Sequence, residues 1–191
     1  MARKEYVGLT VPCGHIAIMD SEGVEVPYGA PGEIYIGGPM VTPGYFNNPA
    51  ATAREFRAGY WKSGDLGIMD SRGYIRVIDR IKDVINRGGY KIFASEVENA
   101  LLDHPAIVEV AVVAKPCPVL GERVHAFVVT RQGVEDVELK QYCANLLSDY
   151  KVPEAFHRLE VALPRNANGK LLKRELRDRL TAAGPHHSGS L

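Results

Sequence analysis

The chain has 191 residues, 46% of them hydrophobic and 24% charged, and its 23 basic residues balance 23 acidic ones. Such a composition suits one medium or two small globular domains, and zero net charge argues against the basic face that nucleic-acid binding needs. No apolar run approaches the ~20 residues of a membrane span, and Met1 to Tyr6 lacks the apolar core of a secretory leader. Cys13, Cys117 and Cys143 are far apart, odd in number and in no Cys-x-x-Cys pattern; metal or disulfide use stays open beside the favoured reading of a reduced protein, so the expected location is cytoplasmic.

In chain order, the first half reads as short strands and turns. His15 to Asp20 and Glu33 to Gly37 alternate apolar and polar residues, and Asp20-Ser21-Glu22-Gly23 is a turn beside the first. Pro39 to Pro49 is a loop rich in Gly and Pro. Thr52 and Glu55 have capping-box spacing, which predicts a short helix starting there. Leu66 to Asp70 and Tyr74 to Asp79 predict a hairpin around Asp70-Ser71-Arg72-Gly73.

The character changes near Asp79-Arg80-Ile81-Lys82-Asp83. Ser95 and Glu98 form a second capping box, with Val97, Ala100 and Leu101 on one helical face. His104-Pro105 ends that helix, because proline disfavours helical geometry in the residue before it. Ile107 to Ala114 and Arg123 to Thr130 are β-branched strands. A helix follows from about Val137 to Leu147, then a third strand at Phe156 to Val161. Leu172, Leu176 and Leu180 mark a final helix. The fold class expected is therefore α+β, a mostly β first part followed by a small sheet with helices packed on it. The Gly-, Ser- and His-rich stretch 182–191 is expected to be disordered.

Three segments carry the functional signal. The first is Gly32-Glu33-Ile34-Tyr35-Ile36-Gly37-Gly38, with Gly44-Tyr45, Asn48-Pro49 and Tyr60-Trp61-Lys62-Ser63-Gly64-Asp65 behind it. The second is Asp79-Arg80-Ile81-Lys82-Asp83, running into Gly88-Gly89-Tyr90-Lys91, and the third is Leu163-Pro164-Arg165-Asn166-Ala167-Asn168-Gly169-Lys170. In this order and spacing they resemble the C-terminal motifs of the adenylate-forming superfamily of acyl- and aryl-CoA ligases, peptide-synthetase adenylation domains and beetle luciferases. The resemblance covers about Tyr6 to Leu180.

The resemblance implies a carboxylate attacking the α-phosphate of ATP, followed by attack of coenzyme A on the acyl-adenylate. Residues 1–79 would be the last, β-rich and barrel-like subdomain of a large N-terminal domain, incomplete here. Residues 80–181 would be the compact α+β lid. Asp65 matches the aspartate that holds the ribose; one carboxylate can accept both vicinal hydroxyls. Its rival reading is a capped Ser-Gly-Asp turn. Arg80 resembles the arginine beside the ribose, and Lys82 falls at the hinge about which the lid swings; its rival is a charged turn. Gly88, Gly89 and Tyr90 match the loop lining the coenzyme A channel, against an ordinary tight turn. Lys170 matches the catalytic lid lysine, whose ammonium meets charge developing on the phosphoryl oxygens. Lys173, Arg174 and Arg177 read as surface charge, Cys117 as a loop residue, and His15, His104, His125 and His157 as structural. His186-His187 has no metal spacing, and no bound metal is expected.

The family's phosphate-binding loop and its Tyr-Gly-x-Thr-Glu-type segment are absent from these residues, as is the acyl pocket. The chain is thus expected to be the C-terminal part of an AMP-forming acid–CoA ligase, inactive alone. ATP with Mg2+, coenzyme A and a carboxylic acid, expected to be a fatty acid, would be substrates of the whole enzyme, with AMP as a product. The rest of the large domain would be its partner, and the isolated piece is open to self-association. Two other readings stand beside it: an aryl-CoA ligase or carrier-loading adenylation domain, and a non-catalytic binding or regulatory module reusing the lid fold.

Overall fold

In the computed structural model, which describes residues 6–131 and 133–182, the alternating segments of the first half become one antiparallel sheet. Strands β1 (His15–Met19) and β2 (Gly32–Gly37) pair with Ile18 opposite Ile34. Helix α1 spans Pro49–Glu55, three residues ahead of the start that the Thr52/Glu55 spacing predicts. The reason is local. The Asn48 side chain accepts the Ala51 N–H, and Pro49 fills the first turn, where a missing N–H costs nothing. Thr52 instead uses its hydroxyl to accept the Tyr45 N–H and to donate to the Asn48 carbonyl.

Strands β3 (Phe56–Arg57), β4 (Tyr60–Met69) and β5 (Ile75–Arg80) complete the sheet. The long β4 pairs with β2, β3 and β5. The predicted β4–β5 turn is held by Asp70, whose Oδ1 accepts the N–H groups of Arg72 and Tyr74. Ile18, Ile34 and Ile75 are the buried centre, with Ile16, Val26, Ile36 and Met69 partly buried around them.

A short 3-10 turn, Ile81–Asp83, carries the boundary between two compact units, which falls between Lys82 and Asp83. The second unit opens with a hairpin unforeseen from sequence, β6 (Ile85–Arg87) and β7 (Tyr90–Ile92). Then come α2 (Ala94–Leu102), β8 (Ile107–Cys117), β9 (Gly121–Thr130), α3 (Asp136–Leu146), β10 (Ala155–Arg158) and α4 (Lys173–Ala182). The sheet order is β10-β9-β6-β7, with β8 also on β9. β10 runs parallel to β9, which requires a crossover, here supplied by α3. It is shorter than the predicted Phe156 to Val161.

The continuous apolar run of β8 makes sense because both faces of its ladder are covered. Val110, Val112, Val124, Ala126 and Val128 pack with Val97 and Leu101 of α2 and with Leu139 and Cys143 of α3. Ala111, Val113 and Phe127 pack instead with Leu163 and with Leu176 and Leu180 of α4. Ala182 closes α4, and the rest of the stretch expected to be disordered lies outside the described residues. Among the described residues, no helix is long and apolar enough to cross a membrane.

Candidate functional site

In the first unit, Asp65 and Arg80 are cross-strand partners on β4 and β5. The Arg80 Nε stands 3.1 Å from Asp65 Oδ1, with both side chains partly exposed. The Ser63 hydroxyl accepts the Asp65 N–H at 3.0 Å, and Glu33 accepts the Gly64 N–H at 3.3 Å. A register shift next to the pair, between Leu66 and Gly67, bends the strand locally. A carboxylate held beside a guanidinium at a sheet edge can accept two hydroxyl donors while the cation faces an anion.

Lys82 is exposed in the 3-10 turn. In the second unit, the next residue, Asp83, is buried and ion-paired with Arg177 of α4. Lys173 pairs at 2.7 Å with Glu98 of α2, and both side chains are largely buried; the same Glu98 carboxylate accepts the Val112 N–H of β8 at 2.7 Å. Two of the three cations read as surface charge are therefore ties between α4 and the unit's core, while Arg174 does stay exposed. Sequence alternation of charges along a helix cannot show this, because the acidic partners lie 75 and 94 residues away.

Gly88 and Gly89 form the two-residue turn of the β6–β7 hairpin with φ of +57° and +87°. Both angles lie where glycine is at ease, the pattern of a type I′ turn. The Gly88 N–H donates to the Leu120 carbonyl at 2.8 Å, fastening this turn to the β8–β9 hairpin. Exposed Tyr90 stacks on Tyr150, ring centroids 4.5 Å apart. Lys151 lies over the Tyr150 ring and pairs with Glu96 at 2.6 Å. The aromatic pair was missed, since Tyr150 sits in a 3-10 turn with no periodic pattern.

Lys170 is exposed at the end of a tight turn closed by the Arg165–Leu171 bridge. Arg165 ties the turn to β8 by a 2.9 Å ion pair with Glu109. Glu109 lies near the start of β8, whereas the Gly88 turn meets its far end, where Cys117 pairs with Gly121 and Gly121 with Arg87. Eight residues separate Glu109 from Cys117, roughly 26 Å of strand. The lysine turn and the glycine turn thus mark opposite ends of one ladder.

Two further groups stand on that ladder or on the neighbouring β10. Cys117 is the buried last residue of β8 rather than a loop residue. Its Sγ accepts from Arg123 Nε at 3.1 Å, and this hydrogen bond, ahead of the Leu120 and Val119 N–H groups, lowers its thiol pKa. His125 and His157 meet at 2.9 Å between Nδ1 and Nε2. Burial, then repulsion from His157 and Lys115, pushes His125 down to about 4, and burial followed by Lys115 lowers His157.

Comparison with known proteins gives this geometry its context. Residues 1–46 match the family described as AMP-binding enzyme, and residues 96–170 match the AMP-binding enzyme C-terminal domain. The chain belongs to the adenylate-forming, AMP-binding enzyme superfamily. Lys170 ends the second match, and Asp65, Arg80, Lys82 and the Gly88 turn lie between the two. Among its superfamily relatives, a long-chain-fatty-acid–CoA ligase from Escherichia coli is 38% identical, over 90% of this chain and 31% of that protein. A 2-succinylbenzoate–CoA ligase from Bacillus mycoides is 45% identical, over 83% of this chain and 33% of that protein. The o-succinylbenzoate coenzyme A synthetase of Bacillus subtilis, solved in complex with ATP and magnesium ion, is similar at a TM-score of 0.83 and 37% identity, over 93% and 36% of the two chains. The chain spans about a third of the length of the relatives it matches.

Proposed function

We propose that this chain is the C-terminal part of an AMP-forming acid–CoA ligase, and that its second unit is a lid with two working ends. One observation carries the reading: an exposed lysine turn and a glycine turn stand at opposite ends of the β8–β9 ladder. An enzyme that first activates a carboxylate on ATP and then passes it to a thiol can use one end for each step, by rotating the unit about a few backbone dihedrals at Lys82. In the first orientation Lys170 Nζ would donate to the α-phosphate oxygens as charge gathers on them. Asp65 would accept the ribose hydroxyls and Arg80 would stand beside them. In the second orientation the Gly88-Gly89-Tyr90 turn would line the path of the coenzyme A thiol, its bare backbone allowing close approach.

The remainder of the large domain would supply the phosphate loop, the acyl pocket and the Mg2+ ligands. For that reason the 191-residue chain alone should give no pyrophosphate exchange with ATP and a panel of acids. The acid is proposed to be a fatty acid, with an aryl acid as the second reading, favoured by the 45% identical 2-succinylbenzoate ligase. The location proposed is the cytoplasm, in keeping with three cysteines that are free thiols.

The test is a Lys170→Ala variant of the intact ligase, assayed with fatty and aryl acids. Adenylate formation should fall at least about 100-fold, the scale of removing one donor to developing charge, while thioester formation from supplied adenylate is spared. Equal loss of both half-reactions would remove the two-ended lid from consideration.

A further inference from the structure

The Lys170 turn contains more hydrogen bonding than an exposed loop needs. The Asn166 carboxamide oxygen accepts the N–H of Asn168 at 3.0 Å and the N–H of Lys170 itself at 2.9 Å. The Asn166 N–H donates to the Lys170 carbonyl at 2.9 Å, and the Asn166 carbonyl accepts the Gly169 N–H at 2.9 Å. Lys170 is therefore gripped on both its backbone groups by one residue. Gly169 sits at φ +79° with open space where a Cβ would stand, so the demand there is for backbone conformation, not room.

The grip is anchored to the second unit's core. Arg165 donates from one guanidinium nitrogen to the Gly169 carbonyl at 3.1 Å and from the other to Glu109 of β8 at 2.9 Å. The Leu172 N–H donates to the Pro164 carbonyl at 2.8 Å, and Leu163 just before it is buried against Leu176 and Leu180. Asn166 itself is exposed and makes no contribution to that apolar core. A side-chain acceptor one carbonyl in length, reaching residues i+2 and i+4, is what an Asx-type turn requires, and alanine has none.

We propose that Asn166, braced by Arg165, is the positioning residue for Lys170: it fixes the direction from which the ammonium leaves the turn. This rests on the assignment of Lys170 to adenylate formation. A long, flexible lysine side chain gains catalytic effect only if its root is fixed, because a displacement of about 1 Å can cost on the order of 100-fold in rate. Binding of ATP in the ground state needs no such accuracy, so the effect belongs in kcat.

The experiment has two arms. In the 191-residue chain, Asn166→Ala should speed amide hydrogen exchange at Asn168 and Lys170 at least tenfold, leaving the β8 and β9 amides protected as before. In the intact ligase, Asn166→Ala should lower kcat of adenylate formation ten- to 100-fold, with the KM for ATP within twofold and the thioester step from supplied adenylate unchanged. Asn166→Asp, which keeps the acceptor, should recover most of the exchange protection and of kcat. Wild-type adenylation by Asn166→Ala, alongside a dead Lys170→Ala, would overturn the positioning role and leave Lys170 in place. Full adenylation by Lys170→Ala would overturn both. Loss of β8 protection or of both half-reactions in Asn166→Ala would show a structural residue and also overturn the proposal.

Discussion

The two units bury their strands by different means. In the first, a single antiparallel sheet gathers three isoleucines into its centre, and α1 buries no residue at all. In the second, the β8–β9 ladder is covered on both faces, by α2 and α3 on one side and α4 on the other. Much of the first unit's apolar surface is left uncovered within it: Val7, Leu9, Val11, Tyr28 and Val77 are exposed, and Phe46 fully so. The second unit packs a buried cluster on each face of that ladder between its own layers, although Val119, Val137 and Val161 stay exposed. We propose that the first is part of a larger layer system, covered by the rest of the large domain, or by a second copy when that domain is absent.

Three measurements sharpen or break this contrast. The largest effect is expected for Leu176→Ala, which empties a fully buried site between α4 and β8. It should cost about 2–5 kcal/mol of the second unit's stability, and hydrogen exchange should show the loss there and not in β1, β2 or β4. A loss shared equally by both units would mean that they fold as one body.

Acid should come next, again in the second unit alone. His125 is depressed to about 4 in the fold, chiefly by burial, from an ordinary value near 6.5. The unfolded chain thus binds the proton more readily, so the stabilisation is whole above pH 6.5 and drains as pH falls towards 4. The loss should be roughly 2–3 kcal/mol. Lys115 and Arg123 oppose the charge on His125, and Glu154 favours it; Lys115 opposes the charge on His157, and Asp136 favours it. The two imidazoles cannot both ionise at hydrogen-bond distance without repulsion. His125→Asn should flatten urea-midpoint profiles between pH 6.5 and 4; an unchanged slope would leave the histidine pair without a part in acid stability.

The smallest effect is expected at the most exposed aromatic. Phe46→Ser should change stability by no more than about 0.5 kcal/mol, yet reduce binding of an apolar dye and any self-association seen by light scattering. If dye binding stays the same while the second unit's exposed residues prove responsible, the contrast between the units is reversed.

Particular elements show how far the chain could be read in advance. The β4–β5 turn was legible because Asp70 and Gly73 act within four residues, and β8, β9 and α3 because their patterns are long and regular. The start of α1 was misplaced because Asn48-Pro49 competes with the Thr52/Glu55 spacing, and a side chain that reaches its own helix's first amides wins. The β6–β7 hairpin was missed because three-residue strands carry too little alternation to detect. In the site, the residue types of Asp65, Arg80, Lys82, the Gly88 turn and Lys170 were legible as motifs. Their partners, from Glu109 on Arg165 to Tyr150 on Tyr90, were not.

By itself the sequence determined the local chemistry: where strands alternate, where turns break them, and which charged groups sit in adenylate-forming motifs. Those signals act through a few neighbouring residues, and so survive without a fold. Only the tertiary structure decided that Lys173 and Arg177 are ties to Glu98 and Asp83, that the two histidines share a hydrogen bond, and that the lysine and glycine turns occupy opposite ends of one ladder. Each of these depends on which distant residues the sheet sets side by side, and pairing at a separation of tens of residues is settled by packing, not by any pattern the neighbours display.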